Sequence, residues 1–153
     1  MLDEYREAIQ ELKRADHLVF VSLKYTRTVD IIKSIIERLL NAYDFSIEVL
    51  MRYAKENKEI TEISAAPLVR AEQIKKLHPD DEKTKTYMDL YMLLRKISKA
   101  KFLRLREHRR HVTMIASLDE KDVEVDIDII SEYFHKTNEF VEHIESIIGC
   151  GGE

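Results

Sequence analysis

The residues best able to do chemistry lie in one short basic stretch, RLREHRRH, at residues 104–111. Arginine offers a planar fork of donors that matches phosphate oxygens, and histidine is the side chain best suited to proton transfer near neutral pH. Metal-independent cleavage of RNA needs a base for the 2′-hydroxyl, an acid for the leaving oxygen and a cation for the phosphorane. The stretch therefore predicts a site for a phosphate-bearing ligand, and cleavage of RNA is one chemistry that such a site could perform.

The stretch also continues the apolar stripe of a helix predicted over about 80–111. The stripe begins with apolar residues at spacings of three and four, namely Tyr87, Leu90, Leu94 and Ile97. The same spacing continues through Lys101, Arg104, His108 and His111. At about 100° per residue, the last three fall within roughly 60° of one another. The predicted catalytic residues are Arg104, His108 and His111. The predicted ligand-binding residues are Lys101, Arg106, Arg109 and Arg110.

A structural explanation of this stretch stays open. Phe102, Leu103 and Leu105 could take over the packing if the helix bends, which would leave the polar stripe in water. Basic residues are also favoured at a helix C-terminus by the helix dipole. Residues 95–111 contain eight lysines and arginines and one glutamate, whereas residues 119–145 contain ten acidic residues and two lysines. The two segments could neutralise one another within the fold or across a dimer.

Length and composition indicate one domain built from a few long helices. The chain has 153 residues, 44% hydrophobic and 35% charged, with a formal net charge of −4. It contains two prolines and three glycines, and the glycines all lie in GCGG at 149–152. So few turn-forming residues favour long elements. Abundant Ile, Glu, Lys and Arg with few Asn and Gln is typical of thermophile proteins.

Periodicity places five helices and one hairpin. The predicted helices cover about 3–23, 28–56, 67–78, 80–111 and 128–148, with Thr26 or Thr28 as an N-cap and Pro67 as a first helical residue. The segments VTMIA and VEVDID predict a β-hairpin over about 112–127. The fold class is therefore an all-α, antiparallel four- to five-helix bundle with a hairpin insert, over residues 1–148, followed by a flexible tail at 149–153.

Two helices favour a homodimer. The helix over 28–56 has apolar stripes on two faces, which is typical of a helix that is central in its bundle or shared with another subunit. The last helix repeats apolar residues in heptad register. A purely structural or protein–protein interaction dimer is therefore the alternative to a site that works on a ligand.

This combination of helices and motif resembles the HEPN superfamily, small α-helical bundles that commonly dimerise and carry an Arg, four to six residues, then a His. REHRRH supplies Arg106 and His111, and RLREHRRH supplies Arg104 and His111. A shared helix face favours Arg104 with His111. Active members of the family are metal-independent ribonucleases and others are binding modules. The resemblance implies a dimeric RNA- or nucleotide-associated binding or scaffold module, possible ribonuclease activity and no cofactor.

Other candidate sites are weaker. Arg27 lies near the start of a helix, where an anion could bind, but helix capping is the simpler interpretation. His17, His78, His135 and His143 are expected at surface or boundary positions without metal-ligand partners. Cys150 is the single cysteine, which fits a reducing cytoplasm. No segment predicts a signal peptide, a membrane span, a Gly-rich phosphate loop or a zinc site.

Overall fold

The computed structural model describes residues 2–149, and it is mainly helical. Apart from Gly149, the tail predicted at 149–153 and the thiol of Cys150 lie outside the described residues. The elements are α1 (Leu2–His17), a π-helical segment (Leu18–Ser22), α2 (Leu23–Tyr25), α3 (Val29–Glu56), α4 (Pro67–Leu77), α5 (Glu82–Lys99), β1 (Lys101–Leu105), β2 (Thr113–Ser117), β3 (Asp122–Val125) and α6 (Ile127–Ile148).

The longest helix, α3, is central in the bundle. It packs against α1, α4, α5 and α6, so both of its apolar stripes are covered by the same chain. Of the two predicted candidates, Thr26 and Thr28, the N-cap is Thr28, whose hydroxyl accepts a hydrogen bond from the Ile31 amide at 3.4 Å. An extended Thr28 followed by β-branched Val29 and acidic Asp30 gives α3 a well-defined start.

The last helix, α6, uses its heptad stripe inside the protomer as well. Ile130, Phe134, Thr137, Val141 and Ile144 are buried, and α6 packs on α3, α1 and α5. The two sequence features that favoured a homodimer are thus accounted for by packing within one chain. The homodimer itself stays a prediction.

The helix predicted over about 3–23 is interrupted near its end by a π-helical segment, Leu18–Ser22, which leads into the short helix α2. Single π-helical turns are rare and occur often at functional sites, because the wider turn displaces side chains from the helical register. Here Val19 is buried, whereas Phe20 and Val21 are 39% and 41% exposed. The segment therefore presents apolar side chains at the surface beside the link to α3.

The predicted hairpin is confirmed as β2 and β3, but it belongs to a three-stranded antiparallel sheet in the order β1–β2–β3. Phe102 lies opposite Ala116 and Arg104 opposite Met114 in the register of β1 with β2. The buried face of this sheet carries Met114, Ala116 and Val125 and packs towards α3 and α6. The fold is therefore broadly helical but not all-α.

The helix predicted over 80–111 is wrong beyond residue 99. Helix α5 ends at Lys99, because Ala100 has an extended backbone with φ −77° and ψ 154°. From Lys101 the backbone groups bond to β2 instead of to a preceding helical turn. Phe102 is half-buried while Leu103 is 62% exposed, which is the two-residue alternation of a strand. Tertiary pairing here overrides the high helix propensity of Lys, Arg and Leu.

No helix within residues 2–149 combines the length and apolar character needed to cross a bilayer.

Candidate functional site

The three predicted catalytic residues do not share a helix face. Arg104 lies within β1, and His108 and His111 lie in the turn that joins β1 to β2. This corrects the geometric reason for grouping Arg104, His108 and His111, since the helix that would have aligned them ends at Lys99.

Arg104 joins the sheet to the start of α3. Its guanidinium forms an ion pair with Asp30 at 2.8 Å and lies 3.8 Å from Glu107. It also lies 5.2 Å from the centre of the Phe102 ring, and the Lys33 ammonium lies 4.6 Å from that ring. Carboxylates therefore neutralise Arg104, and a structural role explains it without a ligand.

The turn at 106–112 is held in a strained conformation. Arg106 and His108 have φ of 54° and 64°, a left-handed conformation that costs a residue with a side chain roughly 1–3 kcal/mol. The His108 amide donates a hydrogen bond to the Arg27 carbonyl at 2.6 Å. The Glu107 carboxylate accepts one from the Val29 amide at 3.2 Å. The turn is thereby fixed onto the chain segment that precedes α3.

Beyond this anchor, the turn contributes two cationic residues to a cleft of about 500 Å³, which we call the main cleft. This volume lies within the usual range for small-molecule sites. The walls come from the π-helical segment, the link to α3, the turn and the first residues of α6. The lining residues are Val19, Phe20, Leu23, Lys24, Arg27, Arg110, His111, Asp126, Ile127, Asp128 and Ser131.

The cations of the main cleft are free of carboxylate partners. Within residues 2–149, no ion pair within 4.0 Å involves Lys24, Arg27, Arg110 or His111, whereas Arg14, Arg38, Arg52, Arg70, Arg95 and Arg104 all have one. The Arg27 Nε atom is buried and has no hydrogen-bond partner in the described chain. A buried guanidinium nitrogen without an acceptor is costly. The cleft therefore has several cationic side chains that no carboxylate of the described chain neutralises, as an anionic ligand would require.

The N-terminus of α6 also contributes to the lining. The Asp126 side chain caps this helix by accepting a hydrogen bond from the Ile129 amide at 2.8 Å. The Ser131 hydroxyl donates to the Ile127 carbonyl at 2.8 Å. Asp128 is exposed in the first turn. The main cleft is thus lined both by cationic residues, its cationic wall, and by Asp126 and Asp128, its acidic wall.

A second, smaller cleft adjoins the first. It measures about 340 Å³ and is lined by Arg106, His111, Thr113, Glu124 and Asp126. His111 and Asp126 line both clefts. His111 therefore lies at the junction of the two, which makes it the most central of the predicted residues.

Aromatic side chains lie beside these cations. Phe20 lines the main cleft and packs edge-on against Phe134 with 5.7 Å between the ring centres. Tyr25 is 86% exposed between Lys24 and Arg27 in the sequence. Exposed aromatic rings next to cations are the combination with which proteins hold single-stranded nucleic acid, since bases stack on the rings.

The structure thus brings together only part of the predicted set. Arg110 and His111 meet in the main cleft, and Arg106 meets His111 in the smaller one. Lys101, His108 and Arg109 are exposed and line neither cleft. Sequence reasoning missed Lys24 and Phe20 and assigned Arg27 to helix capping. The interruption KYTRT between two predicted helices was the only signal for this part of the site.

Neutralisation of the basic segment by the acidic one is not found at short range. In the described part of the chain, no ion pair within 4.0 Å joins residues 95–111 to residues 119–145. The partner of Arg95 is Asp44, and those of Arg104 are Asp30 and Glu107. Nor do residues 2–149 contain a group of three His, Cys, Asp or Glu side chains that could hold a metal ion.

In comparisons with protein-family models, with curated proteins and with solved structures, no match to this chain was found. Function is therefore inferred from the geometry of the clefts.

Proposed function

We propose that the protein is an RNA- or nucleotide-associated binding module and that the main cleft holds a phosphate-bearing unit of the ligand. The observation on which the proposal rests is the group Lys24, Arg27 and Arg110, three cations without carboxylate partners around one cleft. Arginine forks match phosphate oxygens, and each such contact is strengthened where water is partly excluded. Arg27 is half-buried, so a contact between its guanidinium and a phosphate would be partly shielded from water.

The aromatic residues favour a nucleotide over inorganic phosphate. Phe20 borders the same cleft as the cations, so a phosphate held by Arg27 and Arg110 would bring an attached base near this ring. Stacking of a base on an aromatic ring contributes about 1–3 kcal/mol and tolerates any sequence. The two features together fit single-stranded RNA or a free nucleotide.

Binding without cleavage is the form of the function that we propose. The resemblance to the HEPN superfamily stays a prediction, and so does ribonuclease activity. The motif that carries the resemblance offers two pairs, of which the sequence favoured Arg104 with His111, but Arg104 is engaged by Asp30 and Glu107. The other arginine, Arg106, lines the smaller cleft with His111. His111 lines the clefts without an arginine partner from β1. These contacts support a binding role for the turn.

A structural role is the second candidate. Phe20, Val21 and Tyr25 are exposed and close together along the π-helical segment and α2. Exposed apolar side chains of this kind occur at protein–protein interfaces. If this surface is the functional one, the chain self-associates or binds a protein partner and does not bind RNA.

The test measures fluorescence anisotropy of a labelled single-stranded uridine octamer in EDTA, with uridine monophosphate as competitor. We expect the RNA to bind, and we expect Arg27→Gln and Arg110→Gln each to weaken binding about tenfold, because each removes a charged hydrogen-bond donor. If uridine monophosphate displaces the octamer, a single nucleotide is sufficient for binding. If it does not, the site requires an RNA strand.

Arg6→Gln is the matched control. Arg6 is exposed on α1 and, like Arg27 and Arg110, has no ion pair within residues 2–149. It precedes Val19 by thirteen residues, which places it roughly 20 Å along the helix from the cleft. Equal losses in the control and the cleft variants, or no binding by the parent protein, would contradict the proposal. Cleavage of the RNA that His111→Ala abolishes would instead assign ribonuclease activity.

A further inference from the structure

The acidic wall of the main cleft indicates which kind of nucleic acid the cleft takes, provided that the proposed function is correct. A cleft meant only for phosphate gains nothing from carboxylates, because these repel the ligand. Yet Asp126 and Asp128 line the same cleft as Arg27, Arg110 and His111. A ligand that satisfies both kinds of side chain carries an anionic group and a hydrogen-bond donor.

Of the two carboxylates, Asp128 is the one available to a ligand. Asp126 is engaged by the Ile129 amide as the cap of α6. The Asp128 carboxylate makes no hydrogen bond and no ion pair with any residue between 2 and 149. Its exposed carboxylate therefore keeps all its acceptor sites for a group that enters the cleft.

A ribonucleotide presents the required groups in the required order. Its phosphate, sugar and base are joined in sequence, so a phosphate bound by the cations and a base near Phe20 would place the ribose between them, inside the cleft that Asp128 also lines. The 2′-hydroxyl is a donor that RNA has and DNA lacks, and it is the group by which proteins distinguish the two. Carboxylates accept hydrogen bonds from ribose hydroxyls in other nucleotide sites.

We infer that the main cleft selects ribose over deoxyribose and that Asp128 determines this specificity by accepting a hydrogen bond from the 2′-hydroxyl. Selection has two parts. The hydrogen bond favours RNA, and the same carboxylate repels a DNA strand that offers it no donor. Removing Asp128 should therefore weaken RNA binding and strengthen DNA binding, so the two affinities converge.

The test compares octamers of uridine and of deoxyuridine, which differ only in the 2′-hydroxyl, by anisotropy with the full chain. We expect the parent protein to bind the RNA about tenfold more tightly, the effect of one hydrogen bond to a charged group. Asp128→Ala should bring this ratio to about one and raise DNA affinity severalfold. Asp128→Asn, which keeps an acceptor oxygen, should restore part of the preference for RNA.

Glu132→Gln is the control, because Glu132 is an exposed carboxylate on α6 that does not line the cleft. Thermal unfolding of each variant is measured as well, because Asp128 could also stabilise the first turn of α6. A purely structural role of this kind would change the unfolding temperature but not the ratio of RNA affinity to DNA affinity. Equal binding of both octamers by the parent protein, weakened in Arg27→Gln, overturns the inference but leaves the proposed function intact. A ratio that persists in Asp128→Ala also overturns it. Absence of binding to either octamer overturns both.

Discussion

At the scale of single residues, one glutamate explains why part of the basic stretch is structural. Glu107 is the only acid among residues 95–111, and its carboxylate accepts from the Val29 amide while lying 3.8 Å from Arg104. It therefore serves two positive groups at once, the N-terminus of α3 and a guanidinium. The same turn then leaves Arg110 and His111 without a carboxylate partner within 4.0 Å in the described chain. In this stretch, Arg104 therefore has a structural role, whereas Arg110 and His111 line the main cleft.

Asp81 provides a residue-scale prediction about pH. Burial raises the pKa of its carboxyl, but hydrogen bonds from the Thr84 hydroxyl, from His143 and from the Thr84 amide outweigh burial and hold the pKa below its ordinary value. A lowered folded-state pKa gives stability that is present above the unfolded value of about 3.9 and is lost as pH falls through the folded value. In Asp81→Asn the side chain can still cap the helix, but the carboxyl group that titrates is gone.

We therefore expect thermal unfolding between pH 2 and pH 5 to depend less steeply on pH in Asp81→Asn than in the parent protein. Asp80→Asn is the control, because Asp80 is exposed next to Asp81 and makes no hydrogen bond or ion pair within residues 2–149. The same pH dependence in all three proteins would show that Asp81 does not contribute to acid unfolding.

At the scale of elements, the sequence predicted those whose boundaries are encoded locally. Thr28 and Pro67 mark helix starts through capping and a fixed φ, and Val123 and Val125 alternate with acids as a strand requires. Strand β1 carries no such local signal. Its residues favour helix, no glycine or proline separates it from α5, and its pairing partner β2 begins eight residues after it ends. Only tertiary pairing determines its conformation.

The cleft could be predicted only in part for a related reason. Arg110 and His111 were identified because their residue types suit phosphate chemistry. The residues that complete the cleft, Lys24 and Arg27 before α3 and Asp128 in α6, are distant in sequence. The His108 amide joins the turn to the link before α3 by donating a hydrogen bond to the Arg27 carbonyl. Hydrophobic periodicity predicts helices and strands, but it does not predict a hydrogen bond made by a single turn residue with positive φ.

The strained turn gives an element-scale prediction. Glycine adopts positive φ without steric cost, so His108→Gly should stabilise the fold by about 0.5–1 kcal/mol after the entropy of a more flexible unfolded chain is subtracted. The His108 side chain is exposed, so no packing is lost. The freed turn should, however, hold Arg110 and His111 less firmly and weaken binding of the uridine octamer severalfold.

Lys58→Gly is the matched variant, since Lys58 has φ of 60° just after α3 and lines neither cleft. Urea unfolding should show similar gains in stability for both variants, and anisotropy should show weaker binding for His108→Gly alone. Unchanged RNA affinity in His108→Gly would mean that strain in the turn does not position the cationic side chains.

At the scale of the whole molecule, overall charge and local charge have opposite signs. The chain carries a formal net charge of −4, so its average field repels a polyanion. Binding must then depend on a few contacts at the cleft, not on a general basic surface. Each phosphate contact with a single strand lowers the slope of log K against log salt by about 0.7. Contacts from Lys24, Arg27 and Arg110 give an expected slope near −2 for the uridine octamer.

Arg110→Gln removes one of these contacts and should make the slope shallower by about 0.7, from near −2 to near −1.4, whereas Arg6→Gln should leave it unchanged. Affinities measured between 50 and 200 mM salt test both expectations. If Arg110→Gln lowered the affinity but kept the parent slope, Arg110 would act through the shape of the turn and not through a phosphate. If the slope became equally shallow in Arg6→Gln, binding would be spread diffusely over the surface. An arginine some 20 Å from the cleft along α1 would then contribute as much as one inside it.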